Sequence, residues 1–267
     1  MRIISFNGPS GPCSGVVDGA TVHQIGAGVL DVIRGAAVRR TGVAVELDGL
    51  EILAPLRPGK LIGIGLNYRD HAAETGKPVP DMPILFAKMP TSVTGPAGPV
   101  RLPSYTHKAD FEGELAVVIG RVARDVAVAD ALTHVFGYAV MNDVSARDVQ
   151  QSEPQWVRAK GADTFAPWGP WITTADEVPD PQALSIRTWL SGELVQDGTT
   201  ADMVFGVADL IAFISASFTL EPGDVITTGT PAGVGVARTP PRYLRDGDTV
   251  RIEIAGLGSI EHPVIGP

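Results

Sequence analysis

The chain has 267 residues, enough for one large domain or a large one beside a small one. Hydrophobic residues make up 44% of it, so a sizeable core is expected and disorder is not. Lysine and arginine number 21 against 30 acidic residues, a net charge of −9, which excludes a nucleic-acid groove or an anionic membrane surface as the main partner; the single cysteine, Cys13, excludes an internal disulfide and a cysteine-held zinc.

The opening "MRIISFNGPSG" has no long apolar run after its charge, so neither a signal peptide nor a membrane span is expected, and a cytoplasmic location is. "MRIISF" and "VAVELDG" read as strands, and "VLDVIRGAAVRR" has helical spacing at Leu30, Ile33 and Ala37. The proline–glycine connector "APLRPGK" sets a boundary between a small amino-terminal α+β domain, residues 1–57, and a larger domain, residues 58–267. "LIGIGLNY" reads as a strand and turn. "HAAETGKPVPDMP" starts helical and breaks at Gly76 and three prolines, which predicts a surface segment from His71 to about Pro83 able to act as a lid.

From Phe111 onward short apolar strands alternate with turns, among them "ELAVVIG", "VFGYAVMND", "PWITTADE", "GDVITTGTP" and "DTVRIEIAGLGSI". "SIRTWLSGELVQDG" carries a Ser191–Gly192 hairpin turn. Helices are expected at "DVSARDVQQS", starting with Ser145, and at "ADMVFGVADLIAFISAS", with Val204, Val207, Ile211 and Ile214 on one face. With 31 glycines and 22 prolines and no regular strand–helix alternation, the fold class is mixed and β-rich rather than doubly wound. "GIGLNY" places Tyr68 where a dinucleotide fingerprint needs its third glycine, and "GTPAGVGVA" lacks a P-loop's Gly-Lys-Ser/Thr end.

In "DFEGELAVVIG", Glu112 and Glu114 are two apart on a strand and share a face, with side chains about 7 Å apart. On a solvent face they are ordinary surface carboxylates. In a cleft they repel, and a divalent cation relieves them; all-oxygen ligands suit Mg²⁺, Mn²⁺ or Ca²⁺. Asp143, ending an apolar strand, is a candidate third ligand or a helix cap. Arg147 and Gln150 are three apart on the following helix and can share a face, the arginine able to clamp a carboxylate. His71 and Glu74, also three apart, form either a surface pair or a general-base dyad. Lys160 is either a surface lysine or a cation for a developing oxyanion.

In this order, "GLNYRDHAAE", "FEGELAVVIG", "NDVSARDVQ", "AKGADTFAPWGPWI" and "LEPGDVITTGTPAGVG" resemble the fumarylacetoacetate hydrolase family, from about Pro58 to the end, and the leading part resembles the small domain of many bacterial members. The resemblance implies a mixed β-sandwich roll with a few short helices, in a homodimer. It implies Mg²⁺ or Mn²⁺, with Ca²⁺ as a substitute, held by Glu112, Glu114 and Asp143. It also implies a catalytic His71–Glu74 dyad with Lys160, and Arg147, Gln150 and Thr230 against a small anionic 2-oxo acid. The chain departs from the family pattern in having no carboxylate in Leu61–Leu66, and Gly161-Ala162 where members often carry Ser-Phe. The activity implied is hydrolysis of a carbon–carbon bond in an acylpyruvate or another 2-oxo or 1,3-dicarbonyl acid. The alternative in the family is decarboxylation or isomerisation of an unsaturated 2-oxo dioate or of oxaloacetate, as in aromatic catabolism. Outside enzymes, a non-catalytic metabolite-binding protein is the competing expectation.

Overall fold

The computed structural model describes residues 1–267. Its strands are β1 (Arg2–Gly8), β2 (Gly11–Asp18), β3 (Thr21–Ile25), β4 (Arg40–Glu46), β5 (Leu61–Gly65), β6 (Ile84–Lys88), β7 (Val93–Thr94), β8 (Val100–Arg101) and β9 (Ala109–Asp110) in the first half. The second half adds β10 (Gly113–Ile119), β11 (Val135–Asn142), β12 (Ser145–Ala146), β13 (Ala166–Thr174), β14 (Ser185–Leu190), β15 (Glu193–Thr199), β16 (Val225–Thr227), β17 (Thr249–Ile254) and β18 (Gly258–Ile265). The helices are short: α1 (Val29–Ile33), α2 (Arg69–Glu74), α3 (Val128–Ala131), α4 (Arg147–Ser152), α5 (Val157–Lys160) and α6 (Val207–Ser217). No helix is long and apolar enough to cross a membrane.

The larger sheet runs β4-β3-β2-β1-β13-β11-β10-β16-β5-β6, with β7 beside β13; a smaller one runs β15-β14-β17-β18-β8. The mixed, β-rich class expected from the sequence is what forms. The residues ahead of the connector add four strands and α1 to the larger sheet, joined to it where β1 pairs antiparallel with β13.

The strand β10 explains its own apolar run. Leu115, Val117 and Ile119 enter the large core between the sheets, while Ala116 and Val118 enter a second cluster with Ile3, Trp168 and the α1 residues Val29, Val32 and Ile33. A strand buried on both faces needs continuous rather than alternating hydrophobicity. The β14–β15 hairpin turns at Ser191 (φ 49°) and Gly192 (φ 88°), the two positive-φ positions of a tight two-residue loop.

Three helix expectations are corrected. Helix α1 ends at Ile33, and Ala37 is exposed outside it; Gly35 turns left-handed (φ 100°) and the chain moves into β4, whose pairing with β3 outweighs the helical spacing. Ser145 does not begin a helix: Ser145 and Ala146 pair with Asp110 and Ala109, and α4 starts at Arg147. Val204 precedes α6, which begins after Gly206, where the Asp209 carboxylate accepts the Gly206 N–H.

Candidate active site

The register of β10 against β11 brings the three carboxylates together. Gly113 faces Asn142 in the ladder, so Glu112 and Asp143 lie side by side just past it, joined by an Asp143 N–H to Glu112 C=O bond of 2.9 Å. Glu114 is one strand position inward. On its other side, β16 pairs with β10 and its exit supplies the Thr227 hydroxyl and the Gly229 N–H (2.8 Å) to Glu114 Oε2. Oxygen atoms from Glu112, Glu114 and Asp143 all lie within 4.8 Å of one another, and all three residues are buried.

Buried cations interleave with them. Lys160 Nζ bridges Glu112 Oε2 (2.5 Å) and Asp143 Oδ2 (2.7 Å). Arg147 places Nη2 2.7 Å from Glu112 Oε1, Nε 2.8 Å from Asp110 Oδ2, and Nη1 3.1 Å from Gln150 Oε1. Burial alone would raise the Glu112 carboxyl, but the charges of Lys160, Arg147 and His71 outweigh it and hold the group well below the usual carboxylate range. Glu114 has no cation in contact; burial, with the charges of Asp143 and Glu112, pushes it well above that range. Burial would lower Lys160, and the charges of Asp143 and Glu112 reverse that and raise it. Crowded carboxylates with hard oxygen donors fit a divalent cation such as Mg²⁺ or Mn²⁺, whose charge would keep all three ionised.

The dyad lies on α2. His71 Nδ1 is 2.6 Å from Glu74 Oε1, and Glu74 Oε2 accepts the Gly233 N–H at 2.8 Å. Gly233 has φ +108°, and a Cβ there would collide with the Val195 carbonyl, so the position requires glycine. Asp70 accepts the Ala232 N–H at 3.1 Å, Arg69 Nη1 donates to Met203 C=O at 2.6 Å, and Asn67 Nδ2 donates to Thr228 C=O at 2.8 Å. These bonds correct the expectation that a lid begins at His71. His71 is already buried and its helix is latched to the turn after β16, so the open stretch starts beyond Thr75.

One cavity of about 560 Å³ gathers the set. His71, Glu74, Glu112, Glu114, Arg147, Gln150, Lys160 and Thr230 all line it; Asp143 lies behind Lys160. Thr230 Oγ1 donates to Gly113 C=O (3.0 Å) and accepts from Gln196 Nε2 (2.7 Å), so the turn after β16 is pinned to the start of β10. The guanidinium of Arg147, expected to meet a substrate carboxylate, hydrogen-bonds Asp110 through Nε and Gln150 through Nη1, while Nη2 faces Glu112 as an ion pair without a hydrogen-bond partner of its own.

The sequence reading missed Lys88, Asp110 and the Asn142–His262 pair. Lys88 Nζ contacts Asp143 Oδ1 (2.6 Å) and the Lys160 carbonyl, fully buried, and burial lowers it despite the Asp143 charge. Its only signal was a lysine closing the apolar strand "ILFAK". Asp110 holds Arg147 and accepts the N–H groups of Gly235 (2.8 Å) and Val236 (3.0 Å). The Asn142 side-chain Oδ1 accepts the Glu112 N–H (3.0 Å) while Nδ2 meets His262 Nε2 at 3.0 Å.

A family model described as fumarylacetoacetate (FAA) hydrolase C-terminal matches residues 60–265, and one described as Rv2993c-like, N-terminal matches residues 1–55. Protein Rv2993c of Mycobacterium tuberculosis is 46% identical over 225 residues, 84% of this chain and 82% of its own. A 2-hydroxyhepta-2,4-diene-1,7-dioate isomerase from Mycobacterium marinum superposes over 100% of this chain and 98% of its own, with a TM-score of 0.87 and 39% identity. A fumarylacetoacetate hydrolase from psychrophilic Exiguobacterium antarcticum superposes over 100% of both chains, with a TM-score of 0.92 and 38% identity.

Proposed function

The chain belongs to the fumarylacetoacetate hydrolase family, and on that premise we propose that it is a divalent-metal-dependent hydrolase cleaving a carbon–carbon bond in an acylpyruvate or related 2-oxo or 1,3-dicarbonyl acid. The observation that carries the reading is a buried Glu112–Glu114–Asp143 triad whose two glutamates line one cavity with a latched His71–Glu74 dyad. Glu112, Glu114 and Asp143 would hold Mg²⁺ or Mn²⁺, which supplies Lewis-acid polarisation of the substrate's oxygens.

The protein's own groups do the rest. Glu74, fixed by Gly233, orients His71 so that the imidazole takes a proton from water. The water oxygen adds to the distal carbonyl carbon, and the carbon–carbon bond breaks with its electron pair leaving into the enolate of the 2-oxo acid. Lys160, which lines the cavity and holds its ammonium on Glu112 and Asp143, would be the cation nearest the oxyanion. Arg147 holds Glu112 and, lining the cavity with Gln150 and Thr230, offers polar contact to the substrate. The partner is a small anionic 2-oxo acid, and the assembly a homodimer. Supporting that assembly, β6 is a free sheet edge that begins at exposed Ile84, with exposed Met82 just ahead of it.

The name of the Mycobacterium marinum neighbour favours a second reading, isomerisation or decarboxylation of an unsaturated 2-oxo dioate. The same centre serves both, since each passes through an enolate. The test is a parallel time course on an acylpyruvate, oxaloacetate and an unsaturated 2-oxo dioate with Mg²⁺ or Mn²⁺. Acylpyruvate cleavage that disappears on chelation is expected. Rapid isomerisation or decarboxylation with no acylpyruvate cleavage promotes the second reading; inertness toward all three removes both.

A further inference from the structure

We infer that Lys77 and Arg238, at the mouth of the cavity, form a second anion subsite, so that the site selects 2-oxo acids with a distal carboxylate over those ending in an alkyl chain. The inference rests on the metal-dependent 2-oxo acid reading above and adds what the outer end of the cavity recognises.

The buried centre is near charge balance by itself. Asp110, Glu112, Glu114 and Asp143 bring four negative charges, and Lys88, Arg147 and Lys160 bring three positive ones. A divalent cation takes that sum to a single positive charge, enough for one carboxylate. A second carboxylate drawn to that end would be buried without a counter-charge, which is costly.

The mouth has the opposite character. The acids lining the cavity are Glu74, Glu112 and Glu114, and each is held by the contacts described above; none belongs to the mouth. Lys77 and Arg238 line the same cavity, and both reach solvent. The backbone N–H of Lys77 donates to the Ala72 carbonyl (3.0 Å), and its side chain lines the cavity. Arg238 has one partner, Glu193, whose side chain is 65% exposed, and a surface pair of that kind reopens easily. In a chain of net charge −9, two cations facing a cavity without a shared internal acid leave a vacant place for an anion. A flexible ammonium and a forked guanidinium together suit a carboxylate.

Three probes separate the two ends: oxalate, which has no distal end; 2-oxohexanoate, which ends in a methyl group; and 2-oxohexanedioate, which ends in a carboxylate. Each is titrated calorimetrically, with saturating Mg²⁺, into wild type, Lys77→Gln, Arg238→Gln and the double variant. Both side chains reach solvent and glutamine keeps most of their length, so the fold is preserved. Two partly exposed ion pairs together amount to about tenfold in affinity, so wild type should prefer the dioate by about that factor. The preference should fall to near one in the double variant, while oxalate binds both alike. Equal affinity of wild type for the two oxo acids, or a preference surviving in the double variant, overturns this inference alone. If none of the three probes binds wild type, the reading of the centre falls and this one with it.

Discussion

At the inner end of the cavity, Glu112, Glu114, Asp143, Arg147 and Lys160 each have at least two polar partners and are nearly closed to solvent. At the mouth, Lys77 sits in an open stretch with no partner for its charge, beside exposed Gly76, Pro78 and Val79. The inner end is arranged before any ligand arrives, at the cost of burying Asp110, Glu112, Asp143, Lys88, Arg147 and Lys160, whose charges mutual pairing makes tolerable. The mouth keeps its conformational freedom and loses it only when a ligand supplies a counter-charge. Changes at the inner end should therefore act on metal binding and chemistry, and changes at the mouth on which acid is accepted.

The largest break in that contrast comes from Glu114. With Glu114→Ala the centre loses the one carboxylate that has no cation in contact. Mn²⁺ affinity should fall by about 10²-fold or more and turnover nearly vanish; unchanged affinity by calorimetry would remove the ligand assignment. Next comes His71→Ala, which leaves the triad intact. Acylpyruvate cleavage should drop by about 10² or more, while metal affinity and any oxaloacetate decarboxylation persist. Equal loss of both reactions would mean that His71 does more than activate water.

A third effect lies beneath the centre. His262, on β18, is fully buried with Nε2 on Asn142 and Nδ1 without a partner, and burial pushes it down to about 4. The unfolded chain takes up this proton as pH falls below about 6.5, while the folded chain resists until about 4. Stability is thus whole above 6.5 and drains away as pH falls toward 4, the loss by pH 5 being about 2 kcal/mol. Urea unfolding at pH 7 and pH 5 should show His262→Gln losing less on acidification than wild type. Equal losses would mean that His262 is not held neutral by the fold.

Much of the inner end was legible in the sequence because its members sit in short local patterns: Glu112 and Glu114 two apart, His71 and Glu74 three apart, Asp143 at a strand's end. The family resemblance supplied the connection between them. Lys88 and His262 were not legible, since each acts through residues far along the chain, Lys88 on Asp143 and His262 on Asn142, and the packing of unpaired strands that brings them there is a tertiary fact. The end of α1 was misread for the same reason, as pairing of β4 with β3 overrode a local periodicity. Lys88→Met tests the hidden part directly. Losing the contact to Asp143 Oδ1 and the Lys160 carbonyl should weaken Mn²⁺ binding by about tenfold, the scale of indirect supports to metal ligands. Full affinity in a folded variant would show that Asp143 needs no such support.

The smallest effect sharpens the contrast where the two ends meet. Helix α2 is latched by Asp70 to Ala232 and by Glu74 to Gly233, so its amides, including the Thr75 N–H on the His71 carbonyl, should exchange slowly with or without ligand. Residues 76–82 form no helix or strand and are mostly exposed, so their amides should exchange quickly in the free protein. With Mg²⁺ and 2-oxohexanedioate, a carboxylate beside Lys77 should slow exchange severalfold across 76–82, while oxalate should do less because it does not reach the mouth. Identical exchange with and without the dioate would show that the loop does not order over the ligand. Slowed exchange within Arg69–Glu74 would overturn more: the dyad would then be brought to its place by substrate, and the division between a preset centre and an adaptable mouth would fall at β5 rather than after Thr75.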